Sequence, residues 1–477
     1  METREVDVAI IGAGTAGLNA RRAVEREGGR PLLIEDGPYG TTCARVGCMP
    51  SKLLIAAADV AHEIAGAGRF GINVTDWDVD GRAALARVRS ERDRFAGFVV
   101  RDTEALPKEQ RLRGRARFAG PTALIVDDHT RVEARAIVIA TGSSPFIPPP
   151  LDAVRDRIMV NDDVFEMDRL PASLAVVGTG IIGLELGQAL KRLGVDVTFF
   201  SNTDALGPVS DPEVRRVIAD VLGSELKIVT HATIKDAIAD QAGLWLRWTD
   251  SGGNDREEEF EQVLVAAGRR PNLSGLGLDQ TGLALDERGN PPWDPRTTQA
   301  GDAPIFIAGD VSGHIPLLHE AADEGRIAGQ NAMLYPQVSA HLRRIPLAIA
   351  FTDPQIAMVG QRYDQLDLAT VEIGEVSFED QGRARVMGQN RGLLRIYADR
   401  ECCSIIGAEM FAPRAEHMSH LLAWAVQQRM LVTRSLQMPF YHPVLEEGMR
   451  TALRDLAVKL RVTGECRCED MAMAPGA

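Results

Sequence analysis

Long hydrophobic runs and clusters of basic residues are both missing from this 477-residue chain. Apolar stretches such as AIVIATG at 136–142 fall far short of a bilayer crossing, and ELGQAL at 185–190 is interrupted by Glu185 and Gln188. The formal net charge is −14, and no basic stripe is available to neutralise phosphates, which excludes nucleic acid as an expected partner. The opening residues, METREVDVAII, read as a charged lead into a strand and not as a secretory signal, so the expected compartment is the cytoplasm. There is no internal repeat and no low-complexity tract longer than PFIPPP at 145–150. Cysteine is scarce: six residues, falling in three pairs at 43/48, 402/403 and 466/468. What remains is an ordinary globular composition, too long for one core and sized for about three domains.

The first cysteine pair carries the strongest chemical signal. GTTCARVGCMPSK at 40–52 sets Cys43 and Cys48 with four residues between them. In a reducing compartment such a pair is expected to be redox-active and not structural. Positions i and i+5 of a regular helix lie about 8.6 Å apart at Cα, whereas a disulfide wants about 4.4–6.8 Å. A bridge between Cys43 and Cys48 therefore has to distort the helix, and Gly47 is where the backbone yields most easily. Strained, accessible disulfides are the labile kind. A zinc site would need a second ligand pair close by, and none is present there, so no metal is expected.

Two stretches read as dinucleotide-binding units. The apolar run at 6–11 is followed by Gly12, Gly14 and Gly17, a helical pattern, and the strand PLLIED, with Glu35 eighteen residues after Gly17. Glycines at these positions let the backbone approach a pyrophosphate at a helix N-terminus, and the carboxylate suits a ribose diol. The pattern recurs at 174–177 with Gly178, Gly180 and Gly183, but the residue eighteen positions after Gly183 is Ser201, with no carboxylate and no nearby Arg or Lys to clamp a 2′-phosphate. The hydroxyl of Ser201 or the amide of Asn202 is the expected ribose partner, with NAD preferred to NADP. Two such units flanking a redox pair imply a flavin on the first and a nicotinamide on the second. The expected fold class is α/β, with two Rossmann-like domains and an α+β C-terminal dimerisation domain.

At this point the chain resembles the flavoprotein disulfide reductases, the class I pyridine nucleotide-disulfide oxidoreductases, over essentially its whole length. The first glycine unit with Glu35 looks like the family's FAD site, and Cys43 through Lys52 look like its redox helix. Ala140, Thr141 and Gly142 match the crossing that ends the first FAD segment, VAAGRRPN at 265–272 with Gly268 matches the return from the nicotinamide domain, and Asp310 in FIAGD matches the second FAD contact, at the ribityl chain. His442 and Glu447 in HPVLEE match the His-Glu pair of the interface domain, and Pro50-Ser51-Lys52 with this dyad is most like dihydrolipoamide dehydrogenases.

The resemblance implies one non-covalent FAD per subunit and a homodimer whose active site is shared between subunits. His442 would take a proton from a dithiol substrate with Glu447 orienting it, Cys43 would be the outer and more accessible sulfur, and Cys48 would face the flavin. Lys52 would favour negative charge near the flavin ring, with Glu185 as its partner. A lipoylated carrier protein, or a component of a 2-oxo acid dehydrogenase or the glycine cleavage system, would supply the substrate. The alternative is an NAD(P)H-dependent reductase of another disulfide, a persulfide or mercuric ion, using Cys466 and Cys468 as a tail dithiol. Thr41 and Thr42 before Cys43, Gln355, and Tyr441 before His442 depart from the pattern, the last at the substrate entrance. Cys402 and Cys403 are expected in a hairpin turn, one buried and one exposed, without chemistry. The expected layout is FAD-binding 1–150, nicotinamide-binding 151–275, a central return to the FAD domain 276–345, and an interface domain 346–477 with a flexible tail.

Overall fold

The computed structural model describes residues 1–239 and 243–461; Cys466 and Cys468 lie outside them. The chain divides into two compact units, one built from Met1–Leu53, Leu85–Phe146 and Gly268–Arg343, the other from Leu54–Ala84, Ile147–Ala267 and the chain from Arg344 onward.

In the first unit, β1 (Glu2–Ile11), α1 (Thr15–Arg26) and β2 (Pro31–Glu35) form a parallel strand–helix–strand. Val8, Ala9 and Ile10 are consecutive and fully buried, as expected where a strand is covered on both faces. Val8 and Ile10 each contribute about 1.5–3 kcal/mol relative to exposure, and Ala9 less. The helix buries Ala16, Ala20, Ala23 and Val24, a stripe of small residues that lets it lie close to the sheet. The long strand β3 (Thr130–Ile139) runs parallel beside β1, with Ile11 opposite Ile139. Its far end pairs with Ile305–Ile307, so the chain returns to this sheet after an excursion of more than a hundred residues. Two helices come soon after β2: α2 (Thr42–Val46) and α3 (Cys48–Gly66). A longer one, α4 (Gly81–Glu104), comes next.

The second unit repeats the motif. Here β4 (Ser173–Val177), α5 (Ile181–Arg192) and β5 (Asp196–Phe200) belong to a four-stranded parallel sheet completed by Lys227–Val229 and Gln262–Val265. An antiparallel meander, Thr233–Ala239, Leu244–Thr249 and Asp255–Phe260, packs Trp248 and Phe260 edge-on against Phe200. Beyond it, a five-stranded antiparallel sheet from Leu347–Ala350 to Ile405–Ala412 is backed by the helices Ala415–Gln427 and Glu447–Lys459. Cys402 and Cys403 occupy the turn between Leu393–Asp399 and Ile405–Ala412; Cys402 is exposed, but Cys403 is half-buried and not buried as expected. Its left-handed backbone, φ +56°, keeps it at the turn surface. Among the described residues no helix is long and apolar enough to cross a membrane.

Candidate functional site

The first glycine cradle is built by close approach. A Cβ on Gly12 would sit 2.3 Å from the Ala140 carbonyl oxygen, and one on Gly17 only 1.9 Å from that of Gly12. No residue but glycine fits either place. Gly14 is different: a Cβ there meets nothing within 4 Å, and no side chain caps the helix it begins. The first N–H groups of α1 are thus left for an anionic ligand. Glu35 ends β2 with both oxygens fixed by backbone donors, Oε2 by Ala13 at 2.7 Å and Oε1 by Gly37 at 2.8 Å. This open helix end with an oriented carboxylate beside it fits the pyrophosphate and ribose of a dinucleotide.

The far side of the same site is tied together by contacts that local spacing does not reveal. Thr141 Oγ1 donates to the Asn272 carbonyl at 2.7 Å and Asn272 Nδ2 donates back to the Thr141 carbonyl at 3.0 Å, so the crossing at Gly142 and the return after Gly268 form one lock. Arg269 Nε donates to Ser143 Oγ at 2.8 Å, and that hydroxyl donates to Asp310 Oδ2 at 2.9 Å. Asp310 therefore has a fixed carboxylate. Sequence spacing does not single out Ser143, Arg269 and Asn272, since their partners lie more than a hundred residues away. The RRPN motif, which contains Arg269 and Asn272, is their one visible trace.

Helices α2 and α3 are separated at Gly47, with φ −131° and ψ −115°. The expected break is where the disulfide geometry asks for it. Cys43 and Cys48 are both thiols and share a hydrogen bond. The Cys43 thiol is pushed well up from its ordinary value, first by that bond and then by burial, while the charge of Lys52 pulls it down. Lys52 is half-buried in the first turn of α3 and donates to Ser51 Oγ at 3.3 Å. Cys48 is exposed and Cys43 half-buried. Cys43 is tucked against the wall of a cleft of about 310 Å³ that it lines with Thr41, Leu18, Arg22, Val99 and Asp102, whereas Cys48 opens a new helix after the Gly47 break.

Thr41 is a backbone outlier. It holds φ +58° and ψ +149°, a region almost reserved for glycine, and its Oγ1 accepts from the Ala44 N–H at 3.3 Å. This departure from the family's pattern thus carries strain and caps the redox helix.

In the second unit, the glycine cradle has the same contacts. A Cβ on Gly178 would stand 2.3 Å from the Ala266 carbonyl oxygen and one on Gly183 2.1 Å from that of Gly178, with Gly180 open. Ser201 is buried at the end of β5, where its Oγ accepts from the Thr203 N–H at 3.3 Å; Asn202 is exposed. Glu185, on α5, is buried and accepts the Phe351 N–H at 2.9 Å.

His442 and Glu447 meet. Nδ1 of His442 lies 3.0 and 3.1 Å from the two oxygens of Glu447, which also accept the Val444 N–H at 3.2 Å. The Glu447 carboxyl is held below its ordinary value, chiefly by the hydrogen bond with His442. A ring nitrogen fixed by carboxylate leaves Nε2 as the exchanging atom. His442 and its neighbour Tyr441 are both about 80% exposed. Gln355, the other departure in this domain, accepts the Glu416 N–H at 2.9 Å and so caps a helix.

Comparison with known proteins agrees with this geometry. Residues 6–325 match the pyridine nucleotide-disulphide oxidoreductase family and 346–453 match that family's dimerisation domain. Dihydrolipoyl dehydrogenase of Bacillus subtilis is 30% identical over 94% of this chain and 97% of its own length, and dihydrolipoyl dehydrogenase 3 of Pseudomonas aeruginosa 32% over the same shares. Among solved structures, LpdA from Mycobacterium tuberculosis has a TM-score of 0.79 at 26% identity, covering 95% of this chain and 99% of that one. The HOCl-induced flavoprotein disulfide reductase RclA from Escherichia coli, as its Cu(II) complex, has a TM-score of 0.80 at 22% identity, covering 96% and 99%, a likeness of fold alone. The chain belongs to the pyridine nucleotide-disulphide oxidoreductase family and is an FAD-dependent oxidoreductase.

Proposed function

We propose that the protein is a dihydrolipoyl dehydrogenase that oxidises dihydrolipoyl groups on a carrier protein and reduces NAD. The observation that carries this reading is the His442–Glu447 pair, since a cysteine pair alone serves any disulfide reductase. In the proposed reaction Nε2 of His442 takes a proton from one substrate thiol while Glu447 stabilises the cation. The thiolate attacks Cys43 of the oxidised pair, forming a mixed disulfide and releasing Cys48 as thiolate. The second substrate thiol gives its proton to the departing Cys43 sulfur as it displaces it, so that one disulfide forms as one breaks and two electrons now reside on the Cys43/Cys48 pair. Bound FAD supplies the redox chemistry that carries this electron pair to NAD as hydride. Lys52, with Glu185 as its proposed partner, biases the local charge, and the dyad comes from the second subunit of a homodimer in a cytoplasmic setting. The carrier would be a lipoylated protein of a 2-oxo acid dehydrogenase or glycine cleavage system.

A second reading, an NAD(P)H-dependent reductase of a small polar disulfide, is favoured by one observation. The cleft beside Cys43 is apolar at Leu18 and Val99 but carries exposed Arg22 and Asp102, groups that suit a charged substrate better than a hydrocarbon arm.

Parallel assays separate the two. Dihydrolipoamide with NAD should be turned over at least about tenfold faster than any small polar disulfide with NADH or NADPH. His442→Ala and Glu447→Gln should lower it by about 10²- to 10⁴-fold and 10- to 100-fold respectively. Because the Glu447 carboxyl titrates low, the carboxylate serves the dyad above its ordinary range and is lost only as pH falls through the depressed value. The acid limb of the wild-type profile should therefore not come from Glu447. Faster turnover of a polar disulfide, lost in Arg22→Ala, would overturn the leading reading.

A further inference from the structure

The mechanism leaves unused a buried ionic cluster in the first unit. The Leu318–Leu334 helix carries Glu320, Asp323 and Glu324, all buried to 4% exposure or less, directly after the loop that bears Asp310. Arg343 Nη2 donates to Glu320 Oε2 at 2.5 Å and to Glu324 Oε1 at 3.1 Å, and its Nη1 donates to the Pro295 carbonyl at 2.9 Å. Arg326 donates to Asp323 at 2.9 Å. Three buried carboxylates against two guanidinium groups is costly to assemble unless each is bonded.

The second oxygen of Glu324 has a specific task. Its Oε2 accepts the N–H of Gly309 at 2.8 Å in a fully buried bond. Gly309 turns the chain with φ +84°, and a Cβ there would come within 3.0 Å of Ala16 Cβ on α1. The next residue is Asp310, whose carboxylate is steadied from the opposite side by Ser143 and Arg269. The turn is thus gripped at its backbone by Glu324 and at its side chain by Ser143.

We propose that Glu324, paired with Arg343, is a positioning residue for FAD: it fixes the Gly309 N–H and so aims the Asp310 carboxylate at the bound cofactor. The inference rests on the assignment of Asp310 to the flavin and not on the identity of the substrate. A carboxylate gripping a backbone N–H is the stronger class of hydrogen bond, and holding a ligand group rigidly is what converts contact into affinity.

The test is FAD release from the holoprotein on serial dilution, read by flavin fluorescence, together with the melting temperature. Glu324→Ala and Asp310→Ala should each weaken FAD binding by about 10- to 100-fold. The double variant should bind no more weakly than the weaker-binding single one, since both act through one contact. Glu324→Gln keeps an acceptor for Gly309 and should recover most of the affinity. A purely structural role would lower the melting temperature without this non-additivity. Wild-type FAD affinity in folded Glu324→Ala, or full additivity in the double variant, would overturn the proposal. Wild-type affinity in Asp310→Ala would sink the Asp310 assignment and the proposal with it, while leaving the substrate reading intact. If Glu324→Ala does not fold, Arg343→Met must weaken FAD binding by about tenfold, and unchanged affinity there would likewise overturn it.

Discussion

The two nucleotide folds of this chain are near copies where the backbone must approach a ligand and differ where a ligand is chosen. Gly12 faces Ala140 as Gly178 faces Ala266, with the same 2.3 Å that a Cβ would reach. Both helices begin at an uncapped glycine, Gly14 or Gly180. The folds part at the end of the second strand. Glu35 offers a carboxylate clamped by two N–H groups, while Ser201 offers a buried hydroxyl bound to Thr203. They part again just beyond that strand, since only the first fold runs on into a broken helix with two cysteines. Glycine geometry thus makes the same cradle twice, and the residues at its rim differ.

The largest effect should come from removing the feature that only the first fold has. Cys48→Ser should lower dithiol oxidation by at least about 10³-fold, while NADH reduction of an artificial electron acceptor survives; equal loss of both would mean that the pair is structural. Next is the carboxylate. Glu35→Ala releases the N–H groups of Ala13 and Gly37 and should weaken FAD binding by about 100-fold, measured by flavin fluorescence on dilution. The mirror-image change sharpens the contrast: Ser201→Glu gives the second fold the carboxylate of the first and should raise the NADH-to-NADPH ratio of kcat/KM by about tenfold. An unchanged ratio would place the ribose contact elsewhere. The smallest effect concerns the entrance to the redox helix. Thr41→Gly relieves a φ of +58° and should stabilise the first unit by about 1 kcal/mol, seen as a raised urea midpoint, with part of the gain offset by the lost bond to Ala44.

Much of this contrast is legible in sequence because it is local. Glycines within six residues, a carboxylate at a fixed distance, two cysteines separated by four residues and a His five residues before a Glu are spacings that one helix turn or one strand–turn–helix must satisfy. The break at Gly47 is the place that disulfide geometry and glycine's backbone freedom together single out. The support of the site is not legible in this way. The Thr141–Asn272 lock and the Arg269–Ser143 contact rest on the pairing of Arg269–Pro271 with Ser143–Pro145, while Asp310 and the Arg343–Glu324–Gly309 cluster follow the return of Ile305–Ile307 to the first sheet. The cleft beside Cys43 is not legible for a similar reason: its wall comes from α1 and α4, distant in sequence from the cysteine loop.

The central claim is that electrons enter at the cysteine pair of the first fold and leave at the second. Anaerobic titration of the purified yellow protein with dihydrolipoamide, followed by NAD, tests it most directly. The account predicts a long-wavelength band from the Cys48 thiolate against the flavin, then NADH in stoichiometric yield with return of the oxidised spectrum. A flavin that dihydrolipoamide leaves unchanged, while NADH or NADPH produces the same band, would contradict the proposed substrate and direction.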